Sequence, residues 1–340
     1  MKKILWKIKY YFQRLKGVDW KGFKNAVDYA HRKSGKNRLF LLIDMIYCSL
    51  KYTAGYVDYN EFEFYLLNAK ERATYLTLGQ SHKVTQLFND KEALQNFIYK
   101  DRFNVMFKGF VNRDYINLKE TKADDLQKFI EKHGQVMAKR PKDYVGRGIT
   151  KLYQKDITDY QELYDRLVEN GQTLIEEFFK QHEVMASLSE KSVNTMRVIT
   201  FLDDTKTPRV LVVALKSGLG ADVDNIGQGG MYTILNDDGV VERPFIDKFG
   251  NHHSVHPSSG KQLIGFSVPN YKNLMEQVKQ ACLLEPKVRY VGWDIAVTPD
   301  ANIEIIEGNY TSGPFQIIPS LSKDNTGVLP EYKKYIKMEF

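Results

Sequence analysis

The stretch V-G-W-D-I-A-V-T-P-D-A-N-I-E-I-I-E-G-N, residues 291–309, constrains the fold more than any other part of the chain. Two alternating apolar runs, 291–297 and 303–306, flank the turn-forming P-D-A-N segment and predict an antiparallel hairpin. Asp294, Glu307 and Asn309 then sit on adjacent strands where three hard oxygen donors can converge. Such donors suit Mg²⁺, which keeps few protein ligands and fills its shell with substrate phosphates and water. E-x-N alone fits a hairpin with a polar face equally well, so the rest of the chain decides.

At 340 residues, with 43% hydrophobic and 27% charged residues, the chain has the length for two or three domains and the composition of a globular protein. The formal charge of +7 fits anionic ligands without choosing among nucleotide, sugar phosphate, acidic lipid and nucleic acid. The two cysteines, Cys48 and Cys282, stand in apolar settings without C-x-x-C spacing, which argues against a disulfide scaffold, a zinc site or a thiol nucleophile. No run of about 18 apolar residues predicts a spanning helix. His252, His253 and His256 group as H-H-x-x-H beside Pro257, in a polar loop that lacks the helical periodicity of a zinc motif.

Residues 1–88 read as mostly helical, 89–184 and 185–340 as two mixed α+β segments. Met1 to Gly17 mixes Lys and Arg with Leu5, Ile8, Phe12 and Leu15 at helical spacing, without the apolar core or cleavage site of a signal peptide. It fits a helix packed on its own domain, or a basic amphipathic helix making peripheral contact with the cytoplasmic face of a membrane. F-L-L-I-D-M-I-Y-C-S-L-K-Y predicts a further helix. A short helix is expected over 90–101 with Asn89 as its cap, strands over 135–139, 148–153 and 173–179, and a helix over 159–170. Strands at 196–202 and 209–216, a hairpin at 230–243 and a helix at 271–284 precede the carboxylate hairpin.

Following Lys139, R-P-K-D-Y-V-G-R-G-I-T sets Gly146 and Gly148 in a loop between strands, where glycines let the backbone approach a phosphate closely. Next, T-L-I-E-E-F-F-K-Q-H-E is an apolar strand ending in acids, with Glu176 and Glu183 seven residues apart. Lysine strand, glycine loop, acidic hinge and metal hairpin occur in the order found in the ATP-grasp superfamily, which the chain resembles. That resemblance implies an α+β ATP-grasp fold with ATP and Mg²⁺ as cofactors. It makes Lys139 and the earlier Lys91 phosphate contacts, and Gly146 and Gly148 the mobile loop over the triphosphate. By the same resemblance, Glu176, Glu177, Phe178 and Phe179 form the hinge whose backbone recognises adenine, Glu183 accepts from the ribose hydroxyls, and Asp294, Glu307 and Asn309 hold the metal.

A narrower resemblance rests on S-V-N-T-M-R-V-I-T, A-L-K-S-G, D-N-I-G-Q-G-G-M, I-G-F-S-V-P and V-G-W-D-I-A, with K-Y-T-A-G-Y-V-D-Y-N-E-F-E-F-Y-L-L near the amino terminus. These are similar to the sugar-transfer-associated ATP-grasp proteins of polysaccharide biosynthesis. D-N-I-G-Q-G-G also resembles a loop of glutamate-ligating relatives, although Gln228 replaces their usual basic residue. The D-alanine ligase arginine two residues before the first metal ligand is Gly292 here. Arg197 and Lys216 are therefore the expected neutralisers of the transferred phosphate, and Asn225 the catalytic candidate of its loop. The resemblance implies a carboxylate–amine ligase that forms an amide through an acylphosphate, with a small acid and an amine such as an amino sugar as partners and no nucleic acid. A sugar or alcohol phosphotransferase, and a silent glycosyltransferase-associated protein, are the competing readings.

Overall fold

The computed structural model describes residues 19–142, 148–220 and 224–340. The expectations for Met1 to Gly17 and for Gly146 lie outside these residues. The chain forms two compact units: one built from the residues up to Ser81 with Gln316–Pro330 and Phe340, the other from His82–Phe315 with Glu331–Glu339.

The first unit is helical. Asp19 caps the Trp20–Ser34 helix by accepting from the Gly22 N–H at 3.0 Å, and Gly35 ends it at φ 70°. Asn37 caps the Arg38–Tyr52 helix, whose inner face buries Leu41, Met45 and Cys48 against Tyr59, Phe64 and Tyr65. Asp44 is drawn inward to Arg72, with both guanidinium bonds at 2.7 Å. The buried Gln316 side chain donates to the Leu76 carbonyl at 2.8 Å and so fixes the returning segment.

The second unit carries two antiparallel sheets. The smaller has the order β1-β4-β2-β3, from β1 (Tyr115–Asn117), β2 (Gln135–Lys139), β3 (Thr150–Tyr153) and β4 (Leu174–Glu177). Helices Ala123–His133 and Tyr160–Glu169 bury Leu126, Ile130, Leu163 and Leu167 against it, Asp159 capping the second. The larger sheet comprises β5 (Met196–Leu202), β6 (Pro208–Gly218), β7 (Gly230–Ile234), β8 (Phe245–Asp247), β9 (His252–His253), β10 (Tyr290–Val297) and β11 (Ile303–Asn309). Its order is β11-β10-β5-β6-β7-β8-β9. The Tyr271–Cys282 helix packs Leu274, Val278 and Ala281 onto one face, where Val198, Val213, Trp293 and Ile295 form the core. The opposite face of these strands carries the charged side chains. The described residues thus form the α+β architecture with a preceding helical region that the sequence predicts.

Three expectations change. Over 90–101 there are two short helices, Gln95–Ile98 and Lys100–Met106, instead of one. Asn89 does not cap them: its amide donates to the carbonyls of Tyr290 (2.8 Å) and Tyr310 (3.2 Å), so it cross-links distant segments. Asp90 accepts from the N–H groups of Glu92 and Ala93 in the turn that precedes them, and neither helix has a side-chain cap. The 230–243 hairpin reduces to β7 and a bridge between Leu235 and Val241, because β7 takes β8 as its strand partner.

Candidate active site

Antiparallel register assembles the site. Lys216 on β6 lies two residues beyond Ala214, which faces Arg197 on β5; Arg197 pairs with Asp294 on β10, and Asp294 with Glu307 on β11. Directly paired residues share a face of a sheet, as do residues two apart. Four neighbouring strands therefore present Lys216, Arg197, Asp294 and Glu307 in a row. Arg197 grips Asp294 bidentately, Nε to Oδ1 at 2.6 Å and Nη2 to Oδ2 at 2.8 Å, while Lys216 Nζ reaches Asp294 Oδ1 at 3.1 Å. Burial disfavours the Asp294 carboxylate, but the adjacent guanidinium and ammonium outweigh that and hold its pKa well below the usual carboxylate range. Burial likewise opposes the charge of Arg197, and Asp294, with Glu307 and Asp224 behind it, reverses the balance and raises its pKa.

The Asn309 amide donates to Asp294 Oδ2 at 3.3 Å and Glu307 Oε1 at 3.1 Å, so the three expected metal ligands do converge. Gly292 has a steric reason to be a glycine. A Cβ there would meet Ser312 Oγ at 2.4 Å and Arg197 Cδ at 2.9 Å, so the glycine makes room for a guanidinium delivered from the next strand. Asn225 shapes a turn: its carbonyl accepts from the N–H groups of Gln228 and Gly230. Its neighbour Asp224 accepts from Thr195 N at 2.9 Å and Oγ1 at 2.5 Å and lies 4.0 Å from Lys216.

On the smaller sheet, Lys139 ends β2 and is held by the Glu176 carboxylate of β4. Glu176 is fully buried in a network that the sequence did not suggest. Arg113 approaches it with Nε at 3.0 Å and Nη2 at 3.1 Å, and Asn104 donates to it at 3.0 Å. The same guanidinium reaches Glu304 on β11 at 2.5 Å, tying the two sheets together. Burial works against Glu176, but Arg113 and Lys139 together lower its pKa; at Glu304 burial outweighs Arg113 and the Asn112 N–H and raises its pKa. The Glu176 backbone is paired on both sides, with Tyr115 and Met137. The next two N–H groups, of Glu177 and Phe178, donate to Asp114 O and Gln135 O. Gly148 adopts φ 70°, and Gln172 donates to its carbonyl at 3.0 Å.

Glu183 is exposed at the start of the Glu183–Ala186 helix. Asn194, fully buried, steadies that segment through bonds to Gln181 and to the carbonyls of Met185 and Ser189. Lys91 is exposed in a turn. Lys100, which the sequence reading passed over, instead lines a cleft with Phe97, Asn104, Glu307 and Asn309. Its backbone N–H donates to the Pro141 carbonyl at 2.9 Å, two residues beyond Lys139. The histidines do not converge: His253 pairs with Asp247 at 3.1 Å, whereas His256 is buried and contacts Ser217 Oγ at 3.0 Å. Ser217 donates to Asn194 Oδ1 at 2.6 Å in a fully buried setting, which makes this pair structural.

No curated protein matches the chain. Among solved structures, it is similar to the ATP-grasp ligase PsnB complexed with a phosphomimetic variant of its minimal precursor, Mg and ADP (15% identity, TM-score 0.39, 66% of this chain and 53% of that one). It thus spans about half of that chain. It is also similar to D-alanyl-alanine synthetase A from Vibrio cholerae (12%, TM-score 0.42, covering 77% and 69%). A third is the N5-carboxyaminoimidazole synthetase from Staphylococcus aureus complexed with ADP (12%, TM-score 0.43, covering 71% and 52%). The family described as sugar-transfer associated ATP-grasp matches residues 72–326, well over half of the chain. The chain belongs to the sugar-transfer associated ATP-grasp family.

Proposed function

We propose that this protein is an ATP- and Mg²⁺-dependent carboxylate–amine ligase that joins an amino acid or another small acid to an amine-bearing sugar used in surface-polysaccharide biosynthesis. The observation that carries the reading is the row Lys216, Arg197, Asp294 and Glu307 across four adjacent strands. The donor set fits the metal: two carboxylates and an amide, all hard oxygen ligands, joined through the Asn309 side chain. Asp294, Glu307 and Asn309 would hold Mg²⁺, which when bound neutralises phosphate charge.

The remaining roles belong to the chain's own groups. Lys139, braced by Glu176, and Lys100 bring positive charge to the phosphate chain. Gly146 and Gly148 offer backbone N–H groups to it. With the N–H groups of Glu177 and Phe178 engaged internally, adenine recognition falls to the remaining hinge backbone up to Phe179. Exposed Glu183 accepts from the ribose. Arg197 and Lys216 stabilise charge on the transferred phosphate as a substrate carboxylate attacks the γ-phosphorus of ATP and ADP leaves, and an amine then displaces phosphate from the acylphosphate to give the amide. This chemistry rests on positioning and charge neutralisation, so it needs no protein nucleophile.

The test is product analysis by mass spectrometry after incubation with ATP, Mg²⁺, pooled amino acids and nucleotide sugars. An amide appearing with ADP and phosphate supports the ligase. A stable phosphorylated sugar without amide would replace it by a phosphotransferase.

A further inference from the structure

The Arg38–Tyr52 helix has two apolar faces. One is the inner face that packs in its unit; on the other, Leu39, Leu42, Ile43, Ile46, Tyr47 and Leu50 recur at three- and four-residue steps and are 37 to 66% exposed. At 100° per residue these side chains, with Phe40, sweep an outward arc of about 160° that contains no charged residue. A patch of this continuity on a globular protein marks an interaction surface.

Its border is cationic. Arg38 and Lys51 flank the arc at its two ends, Lys51 Nζ lies over the Tyr47 ring at 5.3 Å, and Lys36 Nζ lies over the Phe40 ring at 5.8 Å. Residues 19–52 carry seven Lys and Arg against three Asp. None of the three acids is presented on the arc: Asp44 is bound to Arg72, Asp28 to Arg38, and Asp19 caps its helix. Trp20, at the start of the preceding helix, is 63% exposed.

We infer that this face docks in the plane of an anionic lipid surface. Apolar side chains enter the headgroup boundary, Tyr and Trp sit at the polar interface, and Lys and Arg meet acidic headgroups, as in interfacial amphipathic helices. At 15 residues the helix is about 22 Å long, too short to cross a hydrocarbon core of about 30 Å. Among the described residues no helix is long and apolar enough to cross a membrane. A second copy of the chain is a poorer occupant, because face-to-face packing would set the cationic borders against each other. The assignment is independent of the reaction proposed above.

The experiment is cosedimentation of the full chain with vesicles of phosphatidylglycerol or of phosphatidylcholine, at low and moderate salt. The wild type sediments with the anionic vesicles, less so as salt rises, and not with the neutral ones. The variant Ile43→Glu with Ile46→Glu lowers the bound fraction about tenfold or more while keeping the wild-type melting temperature, since both positions are exposed. A milder variant, Leu39→Ser with Leu50→Ser, weakens binding in the same direction and serves if the first does not fold. Absence of wild-type binding to anionic vesicles, or folded variants that bind as the wild type does, overturns the inference. So does a wild-type dimer, seen by sedimentation velocity, that the substitutions dissociate while no form binds vesicles.

Discussion

Arg197 and Asp294, 97 residues apart in sequence, face each other on adjacent strands and share a bidentate ion pair that also receives Lys216. The pair is buried, so each charge depends on the other for its stability in that place. Asp294→Ala strands two cations, and the expected cost is about 3–5 kcal/mol in urea unfolding. Glu307 does not anchor such a pair, so Glu307→Gln should keep the unfolding midpoint while removing ATP turnover with true substrates. Normal turnover by Glu307→Gln would remove the metal assignment.

Gly292→Ala tests whether the glycine is there for space. Its Cβ would sit 2.6 Å from Ser312 Cβ and 2.9 Å from Arg197 Cδ, so either the Ser312 segment or the arginine must move. Overpacking of this kind costs about 1–3 kcal/mol, and a displaced guanidinium lowers kcat more than it raises KM for ATP. Combining Gly292→Ala with Ser312→Gly should recover stability. Failure of that pair to recover any would show that the contact with Ser312 is not the constraint.

The carboxylate hairpin was legible because strand alternation and a turn motif fix the positions of Asp294 and Glu307 with few alternatives. The strands at 135–139 and 196–202 were legible through the same alternation, and the helix expected over 159–170 forms over Tyr160–Glu169. What escaped is set by tertiary contacts that leave no local pattern. Arg113 reads in sequence as one basic residue in a polar turn, yet it is the fully buried counterion of two carboxylates on different sheets. Asn89 had the composition of a helix cap, and its amide was claimed instead by backbone some 200 residues further on. The outward apolar face of Arg38–Tyr52 was hidden because a helix apolar all round looks in sequence like a buried one.

His256 gives a pH prediction. Burial lowers its pKa below the ordinary 6.5, His253 adds to the effect, and a hydrogen bond to the Gly218 backbone opposes it. Between the folded and the unfolded pKa the unfolded chain binds more protons, so stability rises with pH there and is lost as pH falls from about 6.5 through the folded value. The unfolding midpoint should therefore fall more steeply between pH 7 and pH 5 for the wild type than for His256→Gln. Matching pH slopes for the two proteins would mean that His256 titrates alike in both states.

The final prediction sets Lys100 against Lys91, the lysine that the family resemblance made the earlier phosphate contact. Lys100 lines the cleft with Glu307 and Asn309, and its backbone is bonded beside the end of the Lys139 strand, whereas Lys91 is exposed in a turn at the front of this segment. A charge-assisted hydrogen bond contributes about 1.5–3 kcal/mol, so Lys100→Ala should weaken Mg²⁺-ATP binding roughly ten- to a hundredfold. Lys139→Ala should do the same, and additionally free Glu176 to pair with Arg113 alone. Lys91→Ala should bind as the wild type does, because its charge is screened by solvent. Isothermal titration calorimetry on the three variants decides the matter: a loss of affinity for Lys91→Ala with none for Lys100→Ala would return the phosphate contact to Lys91.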